Sequence, residues 1–140
     1  PLEAQLSSLK DPHIHRLGKL SQSDLAALLI QSNAMCLPSR YPEGLPTILL
    51  EAAAAKNALI VTDNGGTDEV IATPAHGIVL EDGSVPHIRV ALERLYDDRN
   101  ATSHLAAHAQ EHVEANLTWR GSAQAIIEAC QKSNPALASD

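Results

Sequence analysis

The sequence predicts an α/β fold, with an open parallel sheet and helices on both of its faces. Short apolar runs rich in β-branched residues, "AMCLP", "ALIVT" and "GIVL", are separated by segments with a helical pattern. A strand that is apolar along its whole length is typical of a parallel sheet, because both of its faces are covered. The alternation of such strands with helices indicates that helical crossovers join them.

Three elements are predicted before the first of these strands. The run "EAQLSSL" is amphipathic and indicates a helix, and "HIHRLG" indicates a short extended strand that Gly18 closes. A second helix, "DLAALLIQS", follows Ser21 or Ser23, and either serine can cap it. Asp24 stands in its first turn, where a negative charge is favourable.

The helix "LPTILLEAAAAK" follows the strand "AMCLP", and Pro46 is predicted at its first position, which suits a residue without an N–H. Three longer helices are expected later in the chain, over residues 85–96, 100–115 and 119–132. Thr118 is a suitable cap for the last of them. We therefore expect one domain over residues 1–132 and a polar tail over residues 133–140.

Charge, hydropathy and cysteine content exclude several classes of protein. The formal net charge is −7, and Tyr41, Tyr96 and Trp119 are the only Tyr, Trp or Phe residues, so a nucleic-acid partner is not expected. No apolar run approaches the roughly 20 residues of a membrane span. Cys36 and Cys130 stand in apolar surroundings, which predicts two buried thiols in a reducing compartment and a cytoplasmic location.

Two glutamates flank one predicted helix start. Glu43 lies in the loop "SRYPEG", and Glu51 lies about one turn inside the helix that follows. Ligands of open parallel sheets bind beyond the carboxyl ends of the strands, where the N–H groups of a first helical turn favour an anion such as pyrophosphate. Gly44 would let the backbone approach that ligand closely. The alternative is a solvated helix residue and a turn residue, and spacing alone does not separate the two interpretations.

The stretch "PSRYPEGLPTILLEAAAAKNALIVTDNGGTDEVI" resembles the donor-site motif of retaining GT-B glycosyltransferases, specifically glycosyltransferase family 4. Pro-Ser, Glu-Gly, seven residues between two glutamates and a Gly-Gly-x-x-Glu run occur in the family's order. The similarity continues in register from "RLGKLSQS" to "LTWRGSAQ". Leu45 replaces a common Phe, Pro46 a common Gly, and Lys56-Asn57-Ala58 a usual Gly-x-Pro turn. The resemblance implies a Rossmann-like C-terminal domain of a GT-B fold, truncated at its N-terminus.

The resemblance also implies roles for residues near this helix start. It places Glu43 beside the reacting carbon of the donor sugar, as the catalytic residue, and Glu51 at the ribose hydroxyls of the nucleotide. The implied substrate-binding residues are Gly44, Leu45, Thr47 and Ile48 at phosphate and sugar, and Gly18 and Lys19 near the nucleobase. The donor would be a UDP- or GDP-sugar, and neither a metal nor another cofactor is expected.

The implied reaction is glycosyl transfer from a nucleotide sugar with retention at the anomeric carbon. The family's donor domain normally begins with a basic, glycine-rich segment and follows an acceptor-binding domain, and this sequence shows neither. We therefore expect an inactive fragment whose parent enzyme adds an N-terminal acceptor domain, through which it could reach a membrane surface. The exposed sheet edge of such a fragment favours a homo-oligomer. A nucleotide-sugar epimerase and a non-catalytic binding module stay open as alternatives.

A stripe of histidines on one predicted helix offers a competing site. His104, His108 and His112 follow each other at four-residue spacing. Two of them could chelate Zn²⁺, but the outer two lie about 12 Å apart along the helix axis, so the three cannot share one ion. A solvated helix face is the preferred interpretation. The other histidines are expected to be isolated surface or packing residues: His13, His15, His76 and His87.

The run "NGGTDE" is expected to shape a loop next to the glutamate motif. Gly65 and Gly66 provide its turn, and Asn64 or Thr67 would cap the helix that contains Glu69. For Glu69 a structural role is preferred.

Overall fold

The computed structural model describes residues 10–42 and 44–133. The helices and strands are, in chain order, α1 (Gln22–Gln31), β1 (Ala34–Leu37), α2 (Thr47–Ala54), β2 (Ala58–Thr62), α3 (Thr67–Val70), β3 (Ile78–Leu80), α4 (Val85–Asp97), α5 (Arg99–Asn116) and α6 (Trp119–Ser133). The predicted helix "EAQLSSL", Glu43 and residues 134–140 of the predicted tail lie outside the described residues.

The three described strands form one parallel sheet in the order β1-β2-β3, which confirms the predicted α/β class. Cys36 pairs with Ile60 in the first ladder, and Ile60 pairs with Ile78 in the second. Helices α2 and α3 provide the two crossovers between neighbouring strands. The carboxyl ends of all three strands therefore lie at the same edge of the sheet.

The central strand β2 is buried on both faces, as its continuous apolar sequence predicts. Leu59 and Val61 belong to a cluster that residues from α1, α2, α3 and the second half of α5 complete. Ile60 belongs to the cluster on the opposite face, with Ala91 and Leu95 of α4. Because helices pack on both faces of the sheet, the loops at the strand ends are anchored to a packed core.

The prediction of a strand at "HIHRLG" was wrong. Residues 13–18 form no strand in the described structure, and all of them are exposed, with half of the Ile14 and Leu17 surfaces in solvent. An extended segment becomes a strand only by pairing, and β1 is paired only with β2 among the described strands. The predicted cap of α1 is confirmed, since the Asp24 N–H donates to Ser21 Oγ at 3.2 Å.

Two further local predictions need correction. Pro46 is the N-cap of α2 rather than its first helical residue, since its ψ of 104° is extended. Cys130 is exposed rather than buried, because none of the residues of α6 is buried against the described part of the chain. Cys36 is half-buried, and burial raises the pKa of its thiol. Thr118 caps α6 as predicted, accepting from the Gly121 N–H at 3.1 Å.

Helix α2 ends in a Schellman motif that includes a residue in the left-handed region. The Lys56 N–H donates to the Ala53 carbonyl, and the Asn57 N–H donates to the Ala52 carbonyl, each at 2.9 Å. Lys56 has a φ of 61°, a conformation usually taken by glycine at this position. The fully buried Asn57 side chain donates to the Leu29 carbonyl at 2.8 Å and ties this turn to α1.

Within residues 10–42 and 44–133, no helix combines the length and apolar character that would let it cross a membrane.

Candidate functional site

Loops that follow the three strands meet at the carboxyl edge of the sheet, where they enclose a cavity of about 450 Å³. Its lining residues come from all three loops and are Ser39, Arg40, Thr62, Asp63, Asn64, Glu81, Asp82, Gly83 and Ser84. One arginine faces three carboxylates, so the cavity is acidic on balance. Carboxylates accept hydrogen bonds from hydroxyl groups, and this lining therefore suits a hydroxyl-rich group better than a phosphate.

A second feature of this edge, the start of α2, suits an anion. Pro46 makes no side-chain hydrogen bond to the helix, and the first N–H to find an intrahelical acceptor is that of Leu49, which donates to the Pro46 carbonyl at 2.9 Å. The N–H groups of Thr47 and Ile48 therefore have no acceptor within the helix. Together with the positive end of the helix dipole, they favour a negatively charged ligand.

The residues predicted to contact that ligand surround this helix start. Gly44, Leu45 and Thr47 are exposed, while Ile48 is half-buried and packs against the core. Glu43, the predicted catalytic residue, lies outside the described residues, so its position stays a prediction. Gly44 and Leu45, which follow it in sequence, lead directly into the start of α2.

The turn after β2 supports this loop from behind. A Cβ atom on Gly66 would lie 2.6 Å from the Gly44 carbonyl oxygen, so only glycine allows the two backbones to approach this closely. Gly65 has a φ of 84° and makes the turn possible. Gly66 is the N-cap of α3, which corrects the expectation that Asn64 or Thr67 would cap this helix.

Side-chain hydrogen bonds fasten the same turn to the loop after β1. Thr62 Oγ1 donates to the Ser39 carbonyl at 2.6 Å, and Asn64 Nδ2 donates to the same oxygen. Thr67 Oγ1 accepts from the Asn64 N–H and donates to the Thr62 carbonyl, both at 3.3 Å. Sequence reasoning missed this network, although the polar run "TDN" directly after a buried strand is a signal for it. These hydrogen bonds thus hold the loop after β1 and the turn after β2 in one arrangement.

Glu51 lies farther along α2, on its exposed side. It borders a depression of about 390 Å³ between α1 and α2, together with Gln22 at the start of α1. Gly18, with a φ of 65°, and Lys19 are exposed in the segment that leads into α1. Gly18 and Lys19 thus precede α1, one of the two helices that border this depression, while the positions predicted to bind phosphate lie at the start of α2.

One cluster has the composition of a hydrolytic triad but lacks its geometry. His87 Nδ1 lies 2.7 Å from Asp82 Oδ1 and 3.3 Å from Ser84 Oγ. A triad needs the serine and the carboxylate hydrogen-bonded to opposite ring nitrogens, whereas here Asp82 and Ser84 share Nδ1. The Glu81 carboxylate lies 3.7 Å from Nε2, beyond hydrogen-bond distance. Hydrogen bonds from Ser84 and then from His87 lower the pKa of Asp82 to about 2. The cluster therefore stabilises the start of α4 and is unsuited to nucleophilic catalysis.

The histidine stripe is only partly a solvated face. His104 and His108 are exposed, but His112 is half-buried and its Nε2 lies 2.8 Å from the Glu69 carbonyl oxygen. His76 is not isolated, because its ring stacks on that of His112 with centroids 4.3 Å apart. The described residues contain no group of three His, Cys, Asp or Glu side chains arranged to hold a metal ion.

Comparisons with known proteins agree on one family. Residues 2–112 match the sequence model described as "Glycosyl transferases group 1". A GDP-mannose-dependent monoacylated alpha-(1-6)-phosphatidylinositol monomannoside mannosyltransferase from Corynebacterium glutamicum is 32% identical over 109 residues, which cover 74% of this chain and 28% of that protein. A glycogen synthase from Mycobacterium tuberculosis is 32% identical over 113 residues, which cover 80% of this chain and 27% of that protein.

A solved structure has the same fold. Anabaena Alr3699/HepE in complex with UDP and glucose superposes with a TM-score of 0.81 at 19% identity, covering 94% of this chain and 35% of that one. The chain thus spans about a third or less of the length of these proteins.

Proposed function

The chain belongs to the group 1 glycosyl transferases, and from this premise we propose that it is the nucleotide-sugar-binding part of a retaining glycosyltransferase. The parent enzyme moves a glycosyl group from the nucleotide to an acceptor with retention at the anomeric carbon. The acceptor-binding domain belongs to the remainder of the parent enzyme. The 140-residue chain alone binds donor weakly and transfers nothing.

The observation that carries this proposal is the start of α2, where Pro46 is the N-cap and makes no side-chain hydrogen bond to the helix. The N–H groups of Thr47 and Ile48 point out of the helix end, and the close approach of Gly66 to Gly44 holds the preceding loop in place. A pyrophosphate gains charge as the glycosyl bond breaks, and N–H groups that are already oriented stabilise that charge without rearrangement. In this arrangement Leu45, Thr47 and Ile48 contact phosphate and sugar.

The two glutamates act on the two sugars of the donor. Glu51 accepts hydrogen bonds from the ribose hydroxyls, in keeping with its exposure at the depression between α1 and α2. Gly18 and Lys19 lie near the nucleobase, since they lead into the α1 side of the same depression. Glu43 lies beside the donor sugar and either positions it or stabilises positive charge at its ring.

The donor is a UDP- or GDP-sugar. The Anabaena neighbour is described with UDP and glucose, and the Corynebacterium relative is described as GDP-mannose-dependent, which supports both bases equally. Neither a metal nor an organic cofactor enters the proposed binding.

The proposed setting is the cytoplasm, with the membrane surface reached through the acceptor domain. We also propose, for the isolated chain, that the edge of β1 left unpaired among the described strands pairs with a second copy.

Calorimetric titration of the parent enzyme with UDP, GDP and ADP tests the proposal. We expect one of the first two to bind, Glu51→Ala to weaken that binding, and Glu114→Ala, an exposed glutamate on α5, to leave it unchanged. The isolated chain should bind the same nucleotide with a Kd of about 1 mM, since one helix end supplies only part of the affinity. No nucleotide binding by the parent, or an unaffected Glu51→Ala variant, would contradict the proposed site.

A further inference from the structure

A single histidine joins α5 to the short helix behind the proposed donor loop. His112 Nε2 lies 2.8 Å from the Glu69 carbonyl oxygen, a contact between residues 43 positions apart. The side-chain amide of Asn116 also contacts His112, with Asn116 Nδ2 3.2 Å from His112 Nδ1. A carbonyl oxygen only accepts and an amide NH₂ only donates, so Nε2 carries the proton and Nδ1 does not. Both ring nitrogens of His112 therefore have a hydrogen-bond partner.

The ring of His76 packs against that of His112. The two imidazoles stack with their planes 19° apart, and His76 Nδ1 is buried without a hydrogen-bond partner among the described residues. Burial, and then the nearby His112 and His108, lower the pKa of His76. The stacked His76 ring adds a packing contact on one face of the His112 ring.

The helix that His112 holds has little stability of its own. Helix α3 has four residues, Thr67–Val70, and one turn of helix does not persist in water without tertiary contacts. Val70 packs in the core and Thr67 is bonded to the end of β2, which fixes the inner side of α3. The outer side is fixed by the contact between His112 and the Glu69 carbonyl.

Movement of α3 is transmitted directly to the proposed donor loop. Gly66 begins α3, and its Cα lies so close to Gly44 and Leu45 that an added Cβ would overlap the Gly44 carbonyl and touch the Leu45 nitrogen. Because Gly66 already lies close to the backbone of Gly44 and Leu45, a shift of α3 toward this loop pushes on both residues. The orientation of the Leu45 N–H therefore depends on where α3 lies.

We propose that His112 is a positioning residue for the donor site, acting through the Glu69 carbonyl, α3 and Gly66 on the loop at Gly44–Leu45. This role rests on the proposed nucleotide-sugar binding. His112 touches neither the sugar nor the phosphate, and what it contributes is the fixed geometry of the N–H groups that do. The matched control is His104, which stands on the same face of α5 two turns earlier and is exposed.

The test compares His112→Ala, His112→Gln and His104→Ala in the parent enzyme, with UDP and GDP as probes. We expect His112→Ala to weaken nucleotide binding about fivefold, as the loss of one well-placed hydrogen bond does. His112→Gln, whose amide can again donate to the Glu69 carbonyl, should bind within about twofold of the parent, and His104→Ala should not differ from it. A Gln variant as weak as the Ala variant at equal stability would overturn the proposal.

Backbone amide measurements separate this inference from the proposed function. In His112→Ala, the hydrogen-bonded amides of Asn64 and Ile71, at the two ends of α3, should exchange faster, while those of β2 should not change. The N–H groups of the exposed residues Gly44 and Leu45 are followed by their NMR chemical shifts, which should move in the same variant. Both changes in a parent that binds neither UDP nor GDP would retain the positioning path and reject the donor site. Unchanged shifts at Gly44 and Leu45 would overturn the positioning role even if nucleotides bind.

Discussion

Gly66 and Gly44 approach each other so closely that a methyl group on the first would overlap the backbone of the second. The distance from the ideal Cβ position of Gly66 to the Gly44 carbonyl oxygen is 2.6 Å, and its distance to the Leu45 nitrogen is 3.0 Å. The overlapping atoms belong to the backbone, which cannot rotate away as a side chain does. The turn after β2 therefore sets the position of the loop that leads into α2.

Gly66→Ala should disturb both the fold and nucleotide binding. The added Cβ forces the two loops apart, and overpacking of this kind costs about 1–3 kcal/mol of stability. Urea unfolding measures the loss, and titration with UDP or GDP measures the effect on the site.

Gly44→Ala is the matched control for this substitution. A Cβ at Gly44 meets nothing within 4 Å, so stability should change by less than about 0.5 kcal/mol. Nucleotide binding should still fall if a ligand approaches the backbone here. Equal stability of Gly66→Ala and the parent would show that the loops can separate freely.

Lys56→Gly should stabilise the protein. Lys56 holds a φ of 61° in the turn that ends α2, and the left-handed conformation costs an L-residue about 1–2 kcal/mol. Glycine removes that strain but is more flexible when unfolded, so a net gain of roughly 0.5–1 kcal/mol is expected. Lys56→Ala keeps the strain and loses only the charge, and it should show no gain in the same unfolding measurement.

The sequence was most informative where burial alone decides the structure. All five residues of β2 are buried, and a strand covered on both faces has to be apolar throughout, so "ALIVT" was recognisable. The start of α2 was predictable within one residue because Pro46 has a fixed φ and no N–H, which suits the beginning of a helix. By contrast, residues 13–18 have a strand-like composition, but a strand also needs a partner, and pairing is not a local property.

Contacts between distant segments could not be predicted from spacing. His104 and His112 occupy equivalent positions in a four-residue repeat, yet only His112 passes close enough to α3 to bond with Glu69. The hydrogen bonds from Thr62 and Asn64 to Ser39 likewise join loops that are neighbours only because two parallel strands lie side by side. Such contacts depend on the packing of whole elements, which periodicity does not encode.

Asp82→Asn should reduce stability at neutral pH and have no effect in strong acid. Hydrogen bonds from Ser84 and His87 lower the pKa of Asp82 to about 2, below its value of about 3.9 in an unfolded chain. The carboxylate therefore stabilises the folded state above pH 4, and this contribution is lost as the pH falls from about 4 to about 2.

Urea unfolding of the parent, Asp82→Asn and Glu114→Gln at pH 7, 4 and 2.5 measures how this contribution to stability changes with pH. The difference between the parent and Asp82→Asn should narrow in acid, while Glu114→Gln, which alters an exposed carboxylate on α5, should show no such trend. A difference that stays constant across the series would mean that the charge of Asp82 is not involved.

Glu51→Ala and Glu43→Ala should affect different kinetic constants of the parent enzyme, a hypothesis based on their spacing around the start of α2. Glu51 is exposed, so its loss should not disturb folding, and it removes ribose hydrogen bonds made equally in ground and transition states. The donor KM should rise, with a loss of about 1.5–3 kcal/mol in donor binding and little change in kcat. Glu43→Ala should instead lower kcat, because its interaction with the donor sugar grows as charge develops at the anomeric carbon. Steady-state kinetics over a range of donor concentrations separates the two constants, and a Glu43→Ala variant that changes KM alone would place that residue in ground-state binding.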